Sequence, residues 1–165
     1  MLRFAAVCLL KERNIYMTHR EKAKELFFEG YNCSQAVFAA FCDVTGMDEE
    51  TALKISSSFG GGLGRLREVC GALSGAEMVL GMLCGNTDPK LKQEHYVKVR
   101  QIAEEFKKQR GSIICREILG LRKGENSGPK PDARTEEYYK KRPCAIVVEE
   151  AAEIIDEYIK NELKA

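Results

Sequence analysis

The sequence predicts an all-α protein, a single-domain helical bundle of about six to seven helices. Apolar residues recur every three or four positions along most of the chain, and N-cap residues stand ahead of several of those stretches. No segment alternates with the two-residue period of a half-buried strand, and there is no internal repeat. The 165 residues, 44% hydrophobic and 31% charged, are enough for one buried core.

Thr18-His19-Arg20-Glu21 is a capping box that opens a helix with Ala23, Leu26 and Phe27 on one face, and Gly30 stops it. Asn32, with Gln35 three residues on, caps a second helix; Cys33, Val37, Ala40 and Phe41 share its stripe, and Cys42 is expected to continue it. Gly46 and Asp48 punctuate the start of a shorter helix running to about Ser57, before the glycine-rich loop Phe59-Gly60-Gly61-Gly62-Leu63-Gly64. Glu68 to Cys84 is the most apolar segment and long enough for a buried helix. Asp88-Pro89 caps the next one, with Leu91, His95, Val99, Ile102 and Phe106 along it. Ser112 is expected to begin a short helix ending near Gly120. Leu121 to Arg142, with Gly124, Gly128, Pro129, Pro131 and many charges, reads as an exposed connection. Pro143 starts the last helix, with Val147, Ala151, Ile154, Tyr158 and Ile159 on its stripe. His19 and His95 fall on charged helices and read as surface residues.

Residues 17–165 are expected to form the domain. Met1 to Tyr16 has an apolar stretch at the short edge of a signal-peptide core, without a small-residue cleavage site after it. Lys11-Glu12-Arg13 can be encoded AAG-GAG-AGG, a purine-rich ribosome-binding sequence just ahead of the Met17 codon. Translation is therefore expected to start at Met17, with 1–16 a wrongly assigned start or a disordered leader. The intact mass of natively expressed protein tests this.

With 26 Lys+Arg against 25 Asp+Glu, the net charge is +1. Such balance offers no electrostatic footprint for nucleic acid or an anionic membrane. No apolar run approaches the ~20 residues of a membrane span.

The informative residues are the seven cysteines, Cys8, Cys33, Cys42, Cys70, Cys84, Cys115 and Cys144. An odd count without any C-x-x-C pair argues against a secreted disulfide scaffold and a zinc ribbon, and points to a reduced, cytoplasmic chain. Cys33, Cys70, Cys115 and Cys144 each fall at an expected helix start, where free N–H groups and the helix dipole would hold sulfur anionic. Cys70 and Cys84 would be about 21 Å apart along one helix, and Cys33 and Cys42 roughly 13 Å. Only one of each pair can therefore join Cys115 and Cys144 at a small centre. Cys42 and Cys84 are expected to be core residues.

Gly71 and Gly75 lie one turn apart and clear a strip for another helix or for a cofactor, since glycine inside a helix costs ~1 kcal/mol relative to alanine. Gly61 and Gly62 are expected to bring backbone amides near Cys70, and amide bonds to sulfur tune iron–sulfur potentials. As a phosphate cradle, Gly60 to Gly64 with Arg65 and Arg67 matches no nucleotide-binding pattern. Glu77, the only charge between Cys70 and Cys84, shares a face with Cys70 and Ser74. It is either a proton donor beside the thiols or a residue reaching solvent.

Gly30-Tyr31-Asn32-Cys33-Ser34-Gln35-Ala36-Val37, Phe59-Gly60-Gly61-Gly62 and Cys70-Gly71-Ala72-Leu73-Ser74-Gly75 closely resemble the C_GCAxxG_C_C family of redox-active proteins, known by four characteristic cysteines and a CGAxxG motif. The resemblance runs from about Met17 to the final helix. It implies Cys33, Cys70, Cys115 and Cys144 as the redox-active or metal-holding set, and another redox protein or an oxidoreductase as partner. Cys8, Cys42 and Cys84 stand outside the pattern.

Three chemistries suit four such thiols. One is electron transfer or redox sensing by an iron–sulfur cluster, [2Fe–2S] or [4Fe–4S], held by Cys33, Cys70, Cys115 and Cys144. Another is cofactor-free thiol–disulfide exchange, and the last is a structural Cys₄ zinc site. Any enzymatic role is that of an oxidoreductase component, because no Ser–His–Asp set exists for hydrolysis. A homodimer burying the glycine-rich helix is also expected to be feasible.

Overall fold

The computed structural model describes residues 17–126 and 128–163. The expectations for Met1–Tyr16, Cys8 among them, fall outside these residues. The described chain is all helix and turn, with one isolated antiparallel bridge between Val69 and Ile114.

Helix α1 (His19–Phe28) starts at the expected capping box: Thr18 Oγ accepts the Glu21 N–H at 3.2 Å, and the Glu21 carboxylate accepts the Thr18 N–H at 2.9 Å. Asn32 and Gln35 form a second box at the start of α2 (Cys33–Ala40). Six of the eight α2 residues are buried, so it forms the centre of the molecule. The chain breaks at Phe41 (φ −100°, ψ 19°), and Cys42–Thr45 is a separate turn, α3. The expected continuous helix through Cys42 is thus corrected: Phe41 leaves helical geometry to put its ring wholly inside the core. Asp48 caps α4 (Glu49–Ser56) by accepting from Thr51 N–H. The apolar segment forms α5 (Gly71–Cys84), and a turn at Pro89–Leu91 leads into α6 (Lys92–Arg110). Next come α7 (Cys115–Ile118), α8 (Glu136–Lys141) and α9 (Cys144–Tyr158).

Two pairings organise the core: α9 lies along α1, and α5 along α2, with α1 also packed on α2. Gly75 explains how closely α5 and α2 approach. A Cβ there would stand 2.7 Å from Ser34 O and 3.0 Å from Val37 Cβ. The Gly71/Gly75 strip is therefore covered by α2 of the same chain, which leaves that face unavailable for a dimer.

Two sequence expectations need correction. Ser112 does not start a helix; its hydroxyl accepts from Ile114 N–H and donates to Glu117, and the helix begins at Cys115. His19 is not a free surface residue. Its Nδ1 lies 2.5 Å from Asp156, its Nε2 3.1 Å from Asp43, and its ring stacks on Phe41. These partners are 137 and 24 residues away, beyond the reach of local pattern.

Burial alone would lower the His19 pKa, but the Asp156 and Asp43 carboxylates outweigh it and raise it above 6.5. A raised histidine pKa contributes stability that is fully present below pH 6.5 and fades as pH rises through the folded value. His19→Gln should therefore cost about 1 kcal/mol at pH 6, partial exposure having been allowed for, and clearly less at pH 9. Urea midpoints at the two pH values check this; an equal loss at both would show that the ring's packing, not its charge, matters.

Candidate functional site

Cys33, Cys70, Cys115 and Cys144 come from four separate stretches of chain and line one cavity of about 250 Å³. Each sits at a helix start. Cys33 follows the Asn32 cap of α2, Cys70 is the cap residue of α5, and Cys115 and Cys144 are the first residues of α7 and α9. Cys70 N–H donates to Ile113 O at 2.8 Å and Cys115 N–H to Glu68 O at 2.6 Å, on either side of the Val69–Ile114 bridge. This strap holds two cysteines, distant in sequence, side by side.

The strap begins in a left-handed turn. Gly61, Gly62, Leu63, Gly64 and Arg65 have φ of 66°, 70°, 61°, 57° and 71°, and Arg67 has 65°. For the three non-glycine residues this conformation costs roughly 1–2 kcal/mol each, so the surroundings must hold it. Five backbone bonds do so: Gly64 N–H to Ser58 O, Arg65 N–H to Gly60 O, Leu66 N–H to Leu63 O, Arg67 N–H to Gly61 O, and Glu68 N–H to Gly62 O at 3.1 Å.

The glycines singled out in the sequence divide by position. Gly61 lines the cavity. A Cβ on Gly62 would stand 2.7 Å from Cys115 Cβ, and one on Gly71 would meet Cys33 Sγ and Phe59 O, so both let sulfur and backbone come close. Gly75 serves the α2–α5 contact. Glu77 does not line the cavity. Its carboxylate does not reach solvent either, since both oxygens are buried without a partner and burial pushes its pKa to about 8. Cys42 and Cys84 pack beside the core, away from the cavity.

Leu121 to Arg142 is not simply an exposed connection. Pro129, Pro131, Asp132, Arg134 and Arg142 line the cavity, and the segment adds helix α8. Arg65 pins it, donating to Gly128 O at 2.7 Å, to Asn126 Oδ1 at 2.7 Å and to Asp132 at 2.9 Å. Arg142 reaches the same Asp132 carboxylate at 2.7 Å. Arg134 bonds Tyr31 O and lies 4.3 Å over the Phe27 ring. Polar composition hid this role; the signal was Tyr138 and Tyr139 among the charges, aromatic rings on which arginines rest.

The helix starts do not hold the buried sulfurs anionic, contrary to expectation. Burial raises the Cys70 pKa, nearby Cys33 adds to the rise, and the amides of Ala72 and Leu73 oppose it. Burial and Cys33 also raise Cys115 against the pull of Arg67, whose Nη1 lies 3.9 Å from Cys115 Sγ. Cys144 is pushed up to about 12, by burial and then by Cys33 and Cys115. Desolvation and mutual repulsion outweigh the dipoles.

The six described cysteines are all free. Among the described residues no three His, Cys, Asp or Glu side chains form a group that could hold a metal ion. The four cysteines line the same cavity without being gathered into such a group. One tetrahedral zinc would need them drawn to roughly 4 Å from each other. No described helix is long and apolar enough to cross a membrane.

The C_GCAxxG_C_C family model, with the description "Putative redox-active protein (C_GCAxxG_C_C)", matches residues 31–158. That span includes all four cavity cysteines and both segments that close over them. No curated protein and no solved structure matches the chain. With most of its length matched, the chain belongs to the C_GCAxxG_C_C family of redox-active proteins.

Proposed function

We propose that the protein transfers electrons or senses redox state through an iron–sulfur centre held by Cys33, Cys70, Cys115 and Cys144. The observation that carries it is the convergence of these four thiols on one cavity whose wall is largely apolar and carries four arginines, Arg65, Arg67, Arg134 and Arg142, against one carboxylate, Asp132. Burial favours the protonated thiol at Cys70, Cys115 and Cys144, which must give up protons to bind iron, so iron uptake should release protons and weaken at low pH. The cationic wall then offsets the negative charge of a thiolate-ligated centre. A bound cluster would supply one-electron chemistry; the chain supplies the sulfurs, the dry wall and the strap that fixes Cys70 beside Cys115. A cytoplasmic setting, which keeps thiols reduced, and a redox protein as partner belong to this reading.

Cofactor-free thiol–disulfide exchange is favoured less, because it relies on a thiol of lowered pKa and burial moves Cys70, Cys115 and Cys144 the other way.

Anaerobic purification followed by iron and sulfide analysis tests the proposal. Wild type should be brown, with visible charge-transfer absorption. Serine at any one of the four cavity positions should abolish or strongly reduce iron retention, while Cys42→Ser and Cys84→Ser should leave it unchanged. Colourless protein with paired titratable thiols would shift the function to disulfide chemistry. One zinc per chain without a redox wave would make the site structural.

A further inference from the structure

Arg67 is 4% exposed, far less than arginine ordinarily is. Its Nε donates to Asn126 O at 2.9 Å and its Nη1 faces Cys115, but its buried Nη2 has no partner. Among the described residues no carboxylate lies within ion-pair distance of the guanidinium, although the Asp132 carboxylate feels its charge. Asp132 is the carboxylate of the cavity wall, and it is taken by Arg65 and Arg142. The neighbouring Glu68 carboxylate pairs with Arg116. A buried guanidinium with an open donor, whose nearest cavity carboxylate is already bonded by two other arginines, costs free energy unless something returns it.

We infer that the cavity holds a small inorganic oxyanion, of the size and charge of sulfate or phosphate, against Arg67 beside Cys115. Size and chemistry select this class. About 250 Å³ is far more than the ~10–15 Å³ a single water needs, and short of the ~300–1,000 Å³ usual for larger organic ligands. A planar guanidinium offers its N–H groups to the oxygens of such an anion, and the apolar walls from Phe27, Ile118 and Val147 strengthen the attraction by excluding water. The left-handed turn gives this arrangement its purpose: it carries Arg67 inward at φ 65° although its flanking residues Leu66 and Glu68 are exposed. The inference does not need the iron–sulfur centre, because the anion is held by Arg67 and iron would be held by the sulfurs.

The test is titration calorimetry of the purified full-length protein, freed of metal, with sodium sulfate at ionic strength held constant by chloride. Saturable binding at one sulfate per chain is expected, weakened at least tenfold in Arg67→Gln and unchanged in Lys108→Gln, an exposed control. No saturable heat with wild type, or equal affinity in an Arg67→Gln protein that melts like wild type, overturns the inference. Should Arg67→Gln fail to fold, alkylation of Cys115 in wild type decides, read by peptide mass spectrometry. Sulfate, but not chloride, should slow it saturably, and identical rates in the two salts overturn the inference. Iron uptake is measured on the same preparations. Iron without sulfate binding removes the anion site alone; sulfate binding without iron removes the iron–sulfur centre alone.

Discussion

Gly62→Ala is expected to lower stability by about 3 kcal/mol, a fall of roughly 6–12 °C in melting temperature for a chain of this size. Two penalties add. The backbone at Gly62 has φ 70° and ψ 67°, where an L-residue is strained by about 1 kcal/mol. The new Cβ would also stand 2.7 Å from Cys115 Cβ and 2.8 Å from Glu68 N. Neither neighbour can retreat cheaply. Glu68 N–H is bonded to Gly62 O, and Glu68 O accepts from Cys115 N–H. Gly64→Ala is the control: at φ 57°, with nothing within 4 Å of its Cβ, it carries only the strain and should cost about 1 kcal/mol. Thermal melts of both variants measure the difference. Equal losses would mean that contact with Cys115 contributes nothing. If the proposed iron–sulfur centre is present, Gly62→Ala should also reduce iron retention in molecules that still fold, since it pushes on the carrier of one cavity sulfur.

Glu77→Gln is expected to stabilise the protein by about 2 kcal/mol at pH 8 and to change little at pH 5. The folded carboxyl titrates at about 8 because burial disfavours its charge, against 4.5 when free. A raised carboxyl pKa means that the native state holds a proton the unfolded chain releases. Its stability is full below pH 4.5 and declines as pH climbs towards 8. The full shift would correspond to a larger loss, reduced here because part of the side chain lies near solvent. Glutamine keeps the shape and removes the ionisation. Urea midpoints of both proteins from pH 5 to 8 should show curves that diverge steadily with rising pH. A constant offset would place the effect in packing instead.

Short-range chemistry explains which features were legible in the sequence. The two capping boxes at Thr18 and Asn32, the Asp48 cap and the glycine at position 46 involve neighbours a few residues apart, and each forms as expected. The grouping of the four cysteines could be argued because helix rise lets only one of Cys70 and Cys84 join a small centre, and helix-start placement with the family resemblance singled out Cys33 and Cys70. The same rise argument for Cys33 and Cys42 assumed one helix that in fact breaks at Phe41. The helix break at Phe41 was hidden, since Phe38 and Phe41 are both apolar and both buried, so periodicity runs straight through it. His19 with Asp156, and Arg65 with Asp132, join residues 137 and 67 apart, and only the packing of α1 on α9 and the fold-back of the connection create them. The protonation of the sulfurs was misjudged for a different reason. A helix start is visible in sequence, whereas the desolvation that outweighs it depends on the finished fold.

Cys42 and Cys84 offer a practical handle on the molecule. Both are half-buried at the margin of the core, and burial raises both thiols above their usual range. Maleimide chemistry near neutral pH should therefore be slow at both. Serine replacements there would leave a chain whose remaining described thiols all face the same interior space. A single probe placed back at position 42 or 84 would then report on the bundle from outside that space, and a fluorescence or spin-label signal could follow its filling and emptying without touching a cavity sulfur.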